Sequence, residues 1–353
     1  MKLTNFDYHL PPSLIAHHPN NPRDRSRLLF LNKTTGQTRH YHFSDLTKLL
    51  TPNDVLVLNQ TKVFPARLHL HKSTGGKVEI LLTKRLSPNS FEAISKPGLK
   101  PNQPLFHNHK HIATTTPNSN PELPIINFTI SASKLDQFIN SNGTTPIPPY
   151  IHPQSTENKL RHYYQTVFAK ESGSVAAPTA GLHFTSRLLK NLSNHGVNIQ
   201  YLTLHVGLGT FKPVTSKQLS TNTLHPESYN LNSATAHNLN QAKQSGKRII
   251  AVGTTTTRVL ESCLDQNNHL TPSNGQTQLF IKPSYHFRFI DGLITNFHLP
   301  QSSLLMLTSA FISYPNTPHH FSSFSKSHLG QAYQAAIDQR YRFYSFGDAM
   351  III

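Results

Sequence analysis

The chain reads as an α/β protein: a mixed or parallel sheet covered by helices, carrying a small inserted all-β, barrel-like domain. Three observations predict it. From residue 150 onward, strand-like and helix-like runs alternate, the pattern of a helix-covered sheet. Asp54-Val-Leu-Val-Leu and Arg248–Gly253 are short apolar runs of the kind that form buried strands. Between His71 and Tyr150 the texture changes to short β-like runs separated by Gly, Pro, Asn and Ser. At 353 residues and 39.6 kDa the chain is long enough for a sizeable core, in two domains or one large one. The expected division is a discontinuous main domain, residues 1–70 and 151–353, and an insert over residues 71–150.

Taken in order, residues 1–70 alternate polar loops with apolar runs. The Asp54 strand delivers Asn59 and Thr61 to a strand end, a usual address for ligand contacts in α/β sheets. In the insert, Val78–Thr83, Phe91–Ser95 and Ile125–Ile130 are strand-like, and no helix longer than Ser133–Asn140 is expected. Pro-rich Thr145–Pro149 marks the return. Ser174–Thr185 is a loop of small residues, among them Ala176, Ala177, Ala180 and Gly181, which leave little side chain between a ligand and the backbone. Gly181 is free to take positive φ, and Pro178 stiffens the loop before it. Thr185 is the expected N-cap of an amphipathic helix that closes at Gly196. A loop opening onto a helix N-terminus presents free N–H groups to an anionic or polar ligand. A tight structural turn is the plainer alternative.

Val197–Val206 then reads as a strand, Ser233–Ser245 as a helix stopped by Gly246, and Arg248–Gly253 as a buried strand. Thr255–Leu264 follows as a helix and Gln278–Lys282 as a strand. Ser302–Ile312 is an almost wholly apolar helix, placed in the core. His328–Arg340 is another helix, and Tyr341–Ile353 ends the chain with strand-like character.

The chain carries 33 Lys+Arg against 16 Asp+Glu, a net charge of +17, with a pI near 9.9. Such an excess points to a polyanion, nucleic acid first and an anionic membrane second, although a basic proteome shifts pI without function. No Lys/Arg-rich block stands out, so folding must gather the charge. Cys263 is the sole cysteine, which excludes an intrachain disulfide and a thiolate zinc cluster. The start, Met-Lys-Leu-Thr-Asn-Phe-Asp, has no apolar signal region, and no segment approaches the ~20 apolar residues of a membrane span. A cytoplasmic protein with no membrane partner is expected.

Several motifs fail on inspection. Val206-Gly207-Leu208-Gly209 follows a strand, but a third glycine would fall at Lys212, so the dinucleotide fingerprint is not met. Gly75-Gly76-Lys77 lacks the upstream glycine of a P-loop, and a hairpin turn explains it. His225-Pro226-Glu227 lacks the cysteines of a zinc deaminase. The His107-Asn-His-Lys-His run reads as a solvated loop rather than a metal site. What remains is a set of polar residues at strand ends and tight loops: Asn59, Thr61, Arg67, His183, His205, His225, Glu227, Thr254, Thr255, Asn296, His298 and Asp348. Polar loop residues on a rigid scaffold are the usual material of active sites, although a single such histidine is more often structural.

The motifs holding these residues resemble those of the S-adenosylmethionine:tRNA ribosyltransferase-isomerases of queuosine biosynthesis. The Ser174–Thr185 stretch is similar to that family's signature. So, in order, are Pro22–Leu28, Leu56–Arg67, Leu204–Val214, Leu224–Glu227, Ala251–Thr255, Thr295–Pro300 and Tyr344–Met350, so that the resemblance covers nearly the whole chain. Two positions depart from it: Phe346 stands where Tyr is usual, and Ser284 where Gly is usual.

The resemblance implies an enzyme that uses S-adenosylmethionine as ribosyl donor. The ribosyl unit passes to the aminomethyl group of 7-aminomethyl-7-deazaguanine at the wobble position of a tRNA with a GUN anticodon. Epoxyqueuosine forms, and adenine and methionine leave. It implies no metal and no cofactor beyond S-adenosylmethionine as co-substrate, and a monomer is expected. The sulfonium acidifies the C5′ hydrogens, so a base near neutral pKa, a His or a desolvated Glu, suits the first step. Departure of adenine needs a donor: a protonated Asp348, Asn296 or a His. The nucleophilic amine must be neutral, which a low-dielectric pocket favours. The catalytic candidates are His183, His205, His225, Glu227, His298 and Asp348. The binding candidates are Arg23 and Arg27 as anion forks, with Asn59, Thr61, Arg67, Pro178, Thr179, Ala180, Gly181, Gly207, Gly209, Thr254, Thr255 and Asn296. Most of the histidines and Glu227 are expected to line one pocket with Thr179 and Thr255. His183 is the first choice of base, because a helix N-terminus beside it would keep the imidazole neutral. Two other classes stand beside this one. A non-enzymatic RNA-binding protein would have no use for so many small-residue loops, and an ordinary methyltransferase would need a glycine-rich nucleotide loop after its first strand.

Overall fold

The run Val55-Leu-Val-Leu has no choice but burial, and both of its faces are covered. Val55 and Val57 enter one core cluster, Leu56 and Leu58 another on the opposite face, as the two-residue period of a strand requires. The computed structural model describes residues 1–120, 122–148, 150–151, 155–207 and 214–353. In it, Asp54–Asn59 lies inside a nine-stranded sheet whose strands run, edge to edge, Ser273–Leu279, Thr223–Leu231, Asn198–Leu204, Asp54–Asn59, Arg248–Val252, Gly292–Asn296, Ala349–Ile352, Arg27–Leu31 and Thr38–His42. The four strands from Asn198–Leu204 to Gly292–Asn296 are parallel, and both outer pairs are antiparallel, so the sheet is mixed.

Helices cover both faces. Leu188 and Leu192 of helix Ser186–Asn194 pack beside Leu56 and Leu58. On the other face lie helices Ser233–Gln244, Thr254–Ser262, Ser303–Phe311 and His328–Asp338. Thr185 caps its helix as expected, accepting from Leu188 N–H at 3.1 Å, and Gly196 follows the helix at φ +86°. Two strand expectations shift. The Gln278 strand lies earlier, at Ser273–Leu279, and of the run Tyr341–Ile353 only Ala349–Ile352 is strand. The strand Thr223–Leu231 carries no clear strand pattern in the sequence, because Pro226 interrupts it. Proline has no N–H for the ladder, and the register with Ser273–Leu279 shifts between Thr223 and Glu227. Ser284 stands in the left-handed region at φ +82°, which accounts for glycine being the usual residue there.

Six further strands close into an antiparallel barrel, in the order Ile125–Phe128, Ser90–Lys96, Lys77–Ser87, Arg67–Lys72, Pro104–His107 and Lys110–Thr116. Its first strand begins at Arg67, ahead of residue 71. Its interior is a separate core built on Leu68, Ile80, Phe91 and Ile126. The helix expected at Ser133–Asn140 spans Ala132–Asn142 and adds Leu135 and Ile139 to that core. The His107 run is a hairpin turn, with Asn108 and His109 at φ +47° and +64°, the geometry of a two-residue primed turn. Among the described residues no helix is long and apolar enough to cross a membrane.

The chain enters and leaves the barrel side by side, because Arg67 and Thr144 exchange both backbone bonds, at 3.2 and 2.8 Å. Gly143 makes this crossing possible: a Cβ there would stand 2.0 Å from the Pro65 carbonyl oxygen. Overpacking of this kind costs about 1–3 kcal/mol. Gly143→Ala is expected to lower the unfolding free energy by that amount in a denaturant titration, and an unchanged midpoint would show that the crossing has room to spare.

Candidate active site

The barrel stands over the strand ends of the main sheet, and the space between them is the principal concavity. One cavity of about 330 Å³ is lined by Thr83, Lys84 and Glu92 of the barrel and by Gly207, His225, Glu227, Thr254, Thr255 and Arg258 of the main domain. A second, of about 700 Å³, is lined by Lys62, Phe64, Lys84, Arg85, Gly173, His205 and Ser228 among others. The two share Thr83, Lys84, Gly207, Pro226 and Glu227 and so form one groove. A pit of about 20 Å³ joins the first cavity at Thr254, Thr255 and Leu304. It is lined by Pro178, Thr179, Ala180, Asn296 and His298.

The groove floor is held by side chains that act as backbone. The Asn59 amide is buried at the end of its strand. It donates to Leu204 O at 3.0 Å and to Thr255 Oγ1 at 3.3 Å, and accepts from Leu204 N–H at 3.0 Å and Thr61 N–H at 3.1 Å. Thr61 Oγ1 holds His205 Nδ1 at 2.8 Å. The His205 ring lies over Gly173, where a Cβ would come within 2.8 Å of it. Burial lowers the His205 pKa, opposed by Glu171, so the ring is neutral at pH 7. Glu227 is buried in an ion pair with Arg258 and accepts from Gly207 N–H at 2.8 Å, while Arg258 also donates to Leu279 O at 3.0 Å. Both carboxylate oxygens of Glu227 are therefore engaged, which suits an anchor better than a base.

His183 belongs to a different network. The Asn296 amide nitrogen sits 3.3 Å from Tyr344 O, which can only accept, and 3.0 Å from His183 Nε2. Nε2 is therefore the acceptor, and Nδ1–H donates to Ser26 Oγ at 2.7 Å, which in turn donates to Arg23 O at 3.0 Å. The ring is buried and stacked on Phe43, with 5.0 Å between ring centres. Burial above all, then Arg342 and Arg23, lowers its pKa to about 3. The helix N-terminus is not the cause, since the protein's own Asp24 carboxylate meets Thr185 Oγ1 at 2.8 Å and Arg187 at 3.1 Å there. His183 is thus neutral as expected, but both nitrogens are committed and it lines none of these cavities. Gly181 is likewise corrected. It is not in the left-handed region; it lacks a side chain to admit Phe168, whose ring would lie 2.8 Å from a Cβ.

A family model described as "Queuosine biosynthesis protein" matches residues 3–352. The chain belongs to that family. It is 44% identical over 360 residues to an S-adenosylmethionine:tRNA ribosyltransferase-isomerase from Carboxydothermus hydrogenoformans, with each chain covered in full. A protein of the same name from Staphylococcus epidermidis is 44% identical over 357 residues, again over the whole of both chains. The crystal structure of an S-adenosylmethionine tRNA ribosyltransferase from Thermotoga maritima is similar with a TM-score of 0.54 at 34% identity, covering 99% of this chain and 100% of that one.

The queuosine-family motifs do not all converge. His205, His225, Glu227, Gly207, Thr254 and Thr255 line the two large cavities, and Pro178, Thr179, Ala180, Asn296 and His298 the pit. Asn59 and Thr61 support the floor. Arg67 pairs with Glu79 at 2.7 Å on the barrel and reaches none of these three cavities. Arg23 donates to the backbone of His162 and Gln165, and Arg27 to Gln339 O at 2.6 Å with its guanidinium 3.7 Å over the Tyr341 ring, and neither lines any of the three cavities. Asp348 accepts from Arg27 N–H at 2.9 Å and Arg342 N–H at 2.8 Å; burial raises its pKa, but it fastens two backbone segments away from the cavities. Gly209 lies outside the described residues. Arg258 was missed, because an arginine within a helical run carries no signal that separates a buried anchor from a solvated face.

Burial also lowers the pKa of His298 to about 3. A histidine near 3 when folded and near 6.5 when unfolded takes up its proton first in the unfolded state. Its stabilising contribution is present above about pH 6.5 and is lost as pH falls toward 3. Together His183 and His298 make stability fall with pH by at most about 3 kcal/mol per pH unit within that window. Urea titrations between pH 4 and 6 are expected to give a His183→Gln slope smaller than wild type by about one proton. Equal slopes would show that His183 is charged when folded.

Proposed function

We propose that this chain transfers and isomerises the ribosyl unit of S-adenosylmethionine onto 7-aminomethyl-7-deazaguanine at the wobble position of a tRNA, giving epoxyqueuosine and releasing adenine and methionine. The observation that carries this reading is the pair of cavities that meet at Gly207 and Glu227. A reaction joining a ribosyl donor to a base in tRNA needs two sites that open on each other, and both fall in the size range of ligand pockets. S-adenosylmethionine occupies the cavity beside Thr254, Thr255 and Arg258. The modified base enters the other, under Lys62, Lys84 and Arg85, whose charge suits the flanking phosphates.

His205 is the base in place of His183. Its Nδ1 is taken by Thr61, Nε2 has no partner among the described residues, and neutrality at pH 7 leaves a ring nitrogen able to take the C5′ proton. Glu227, held by Arg258 and Gly207, fixes the junction between the cavities. His225, exposed on the wall of the first cavity, is the group placed to protonate departing adenine. The amine of the incoming base loses its proton on entering the low-dielectric groove. The remaining parts of the proposal are a GUN anticodon, a cytoplasmic monomer, no metal or further cofactor, and two working parts, the insert, which the barrel strand at Arg67 and the crossing at Thr144 bound in place of 71 and 150, and the segments that flank it.

Incubation with S-adenosylmethionine and precursor tRNA is expected to release adenine and methionine, whereas S-adenosylhomocysteine as the product would mark a methyltransferase. His205→Ala should lower turnover about 10²–10⁴-fold, the range of a general base, with the tRNA dissociation constant near wild type. Near-normal adenine release would remove His205 from the role. Binding of tRNA should weaken steeply between low and physiological salt as Lys and Arg release counterions; a flat salt profile would contradict a charge-driven surface.

A further inference from the structure

The pit next to the first cavity carries two complementary deficits. On one wall, helix Thr254–Ser262 starts after Gly253, which holds φ +86° and has no side chain to cap it. Among the described residues the first-turn N–H groups therefore have neither an intrahelical acceptor nor a capping oxygen. On another wall, Asn296 is only 3% exposed, and its Oδ1 is buried without a hydrogen-bond partner among the described residues. The amide cannot turn to relieve this, because its nitrogen must face the Tyr344 carbonyl. Donors without an acceptor and an acceptor without a donor thus line one small space. At about 20 Å³ it has room for little more than one water-sized group. A purine does not fit; an ammonium or carboxylate head does.

We propose that this pit takes the ammonium of S-adenosylmethionine, which donates to Asn296 Oδ1, while the carboxylate stays at its mouth, where the pit opens into the first cavity at Thr254 and Thr255, and accepts from the N–H groups of the helix start. This rests on the reading that S-adenosylmethionine is the donor, and it leaves the adenosine to the adjoining cavity, which shares Thr254, Thr255 and Leu304. The anion also meets the positive end of the helix dipole. Gly253 and Ala180 keep the pit open: a Cβ on Gly253 would lie 3.8 Å from that of Ala180. His183 then acquires a role at one remove. A neutral imidazole whose Nε2 accepts from Asn296 fixes the amide with Oδ1 toward the ligand, so His183 is a positioning residue.

The test is calorimetric binding of S-adenosylmethionine and of its analogue lacking the α-amino group, first to the wild-type protein. Wild type is expected to prefer S-adenosylmethionine by about ten- to a hundredfold, the range of a hydrogen bond to a charged group. Equal affinities would overturn the proposal while leaving the donor reading intact, and binding of neither would take the donor reading down with it. Asn296→Ala, checked for folding by its melting curve, is expected to lose the preference. A tenfold preference persisting in folded Asn296→Ala would assign the ammonium to another group and overturn the proposal. His183→Gln should weaken S-adenosylmethionine more than the des-amino analogue, which a merely structural role would not do.

Discussion

One side-chain amide holds the groove together. Asn59 ends the strand Asp54–Asn59 at the point where the chain leaves the nine-stranded sheet, and Gln60 N–H makes the last backbone bond to the neighbouring strand, at Leu202 O, 2.9 Å. Beyond that bond the Asn59 amide takes the place of a peptide, giving and receiving a bond at Leu204 and accepting from Thr61. Its remaining contact is the Thr255 hydroxyl at the helix start. Three segments that carry groove residues are thereby fixed to one another: Thr61 with His205, Leu204 with Gly207 beyond it, and Thr255 with the pit. A buried amide stripped of any one of these partners leaves a polar atom unpaired, which costs about 1–3 kcal/mol.

The rest of the site follows from the same economy of polar groups. Glu227 and Arg258 are almost wholly buried, and such a pair is tolerated only because each makes further bonds, to Gly207 and to Leu279. What the pair secures is placement: it ties the outer strand Thr223–Leu231 to helix Thr254–Ser262 where the two cavities meet. The barrel supplies the opposite wall. Lys84 and Arg85 lie on its longest strand, Lys77–Ser87, and Lys62 on the approach to it, so part of the chain's positive charge gathers along the groove.

Much of this was legible in the sequence, and the rest was hidden for physical reasons. Local chemistry announces itself: Thr185 and Gly196 bracket a helix, Val55–Leu58 is a buried strand, and the turn at Asn108 and His109 needs no tertiary contact. The sites behind those elements depend on which partner fills each polar atom. His183 was rightly read as neutral and wrongly read as available, because nothing in the sequence shows that Ser26 and Asn296 take both its nitrogens. Gly181 illustrates the same limit. Small residues open a loop either to a ligand or to another side chain, and here the occupant is Phe168. Arg258 and the unpaired oxygen of Asn296 could be found only from coordinates, since both are defined by contacts across distant segments.

The central claim is that catalysis takes place in the groove between barrel and sheet. Amide hydrogen exchange with and without S-adenosylmethionine and precursor tRNA tests it most directly. Slowed exchange is expected on both walls together, in residues 62–64, 83–85, 205–207, 225–228 and 254–258. Protection confined to one wall, or centred away from the groove, would contradict the account.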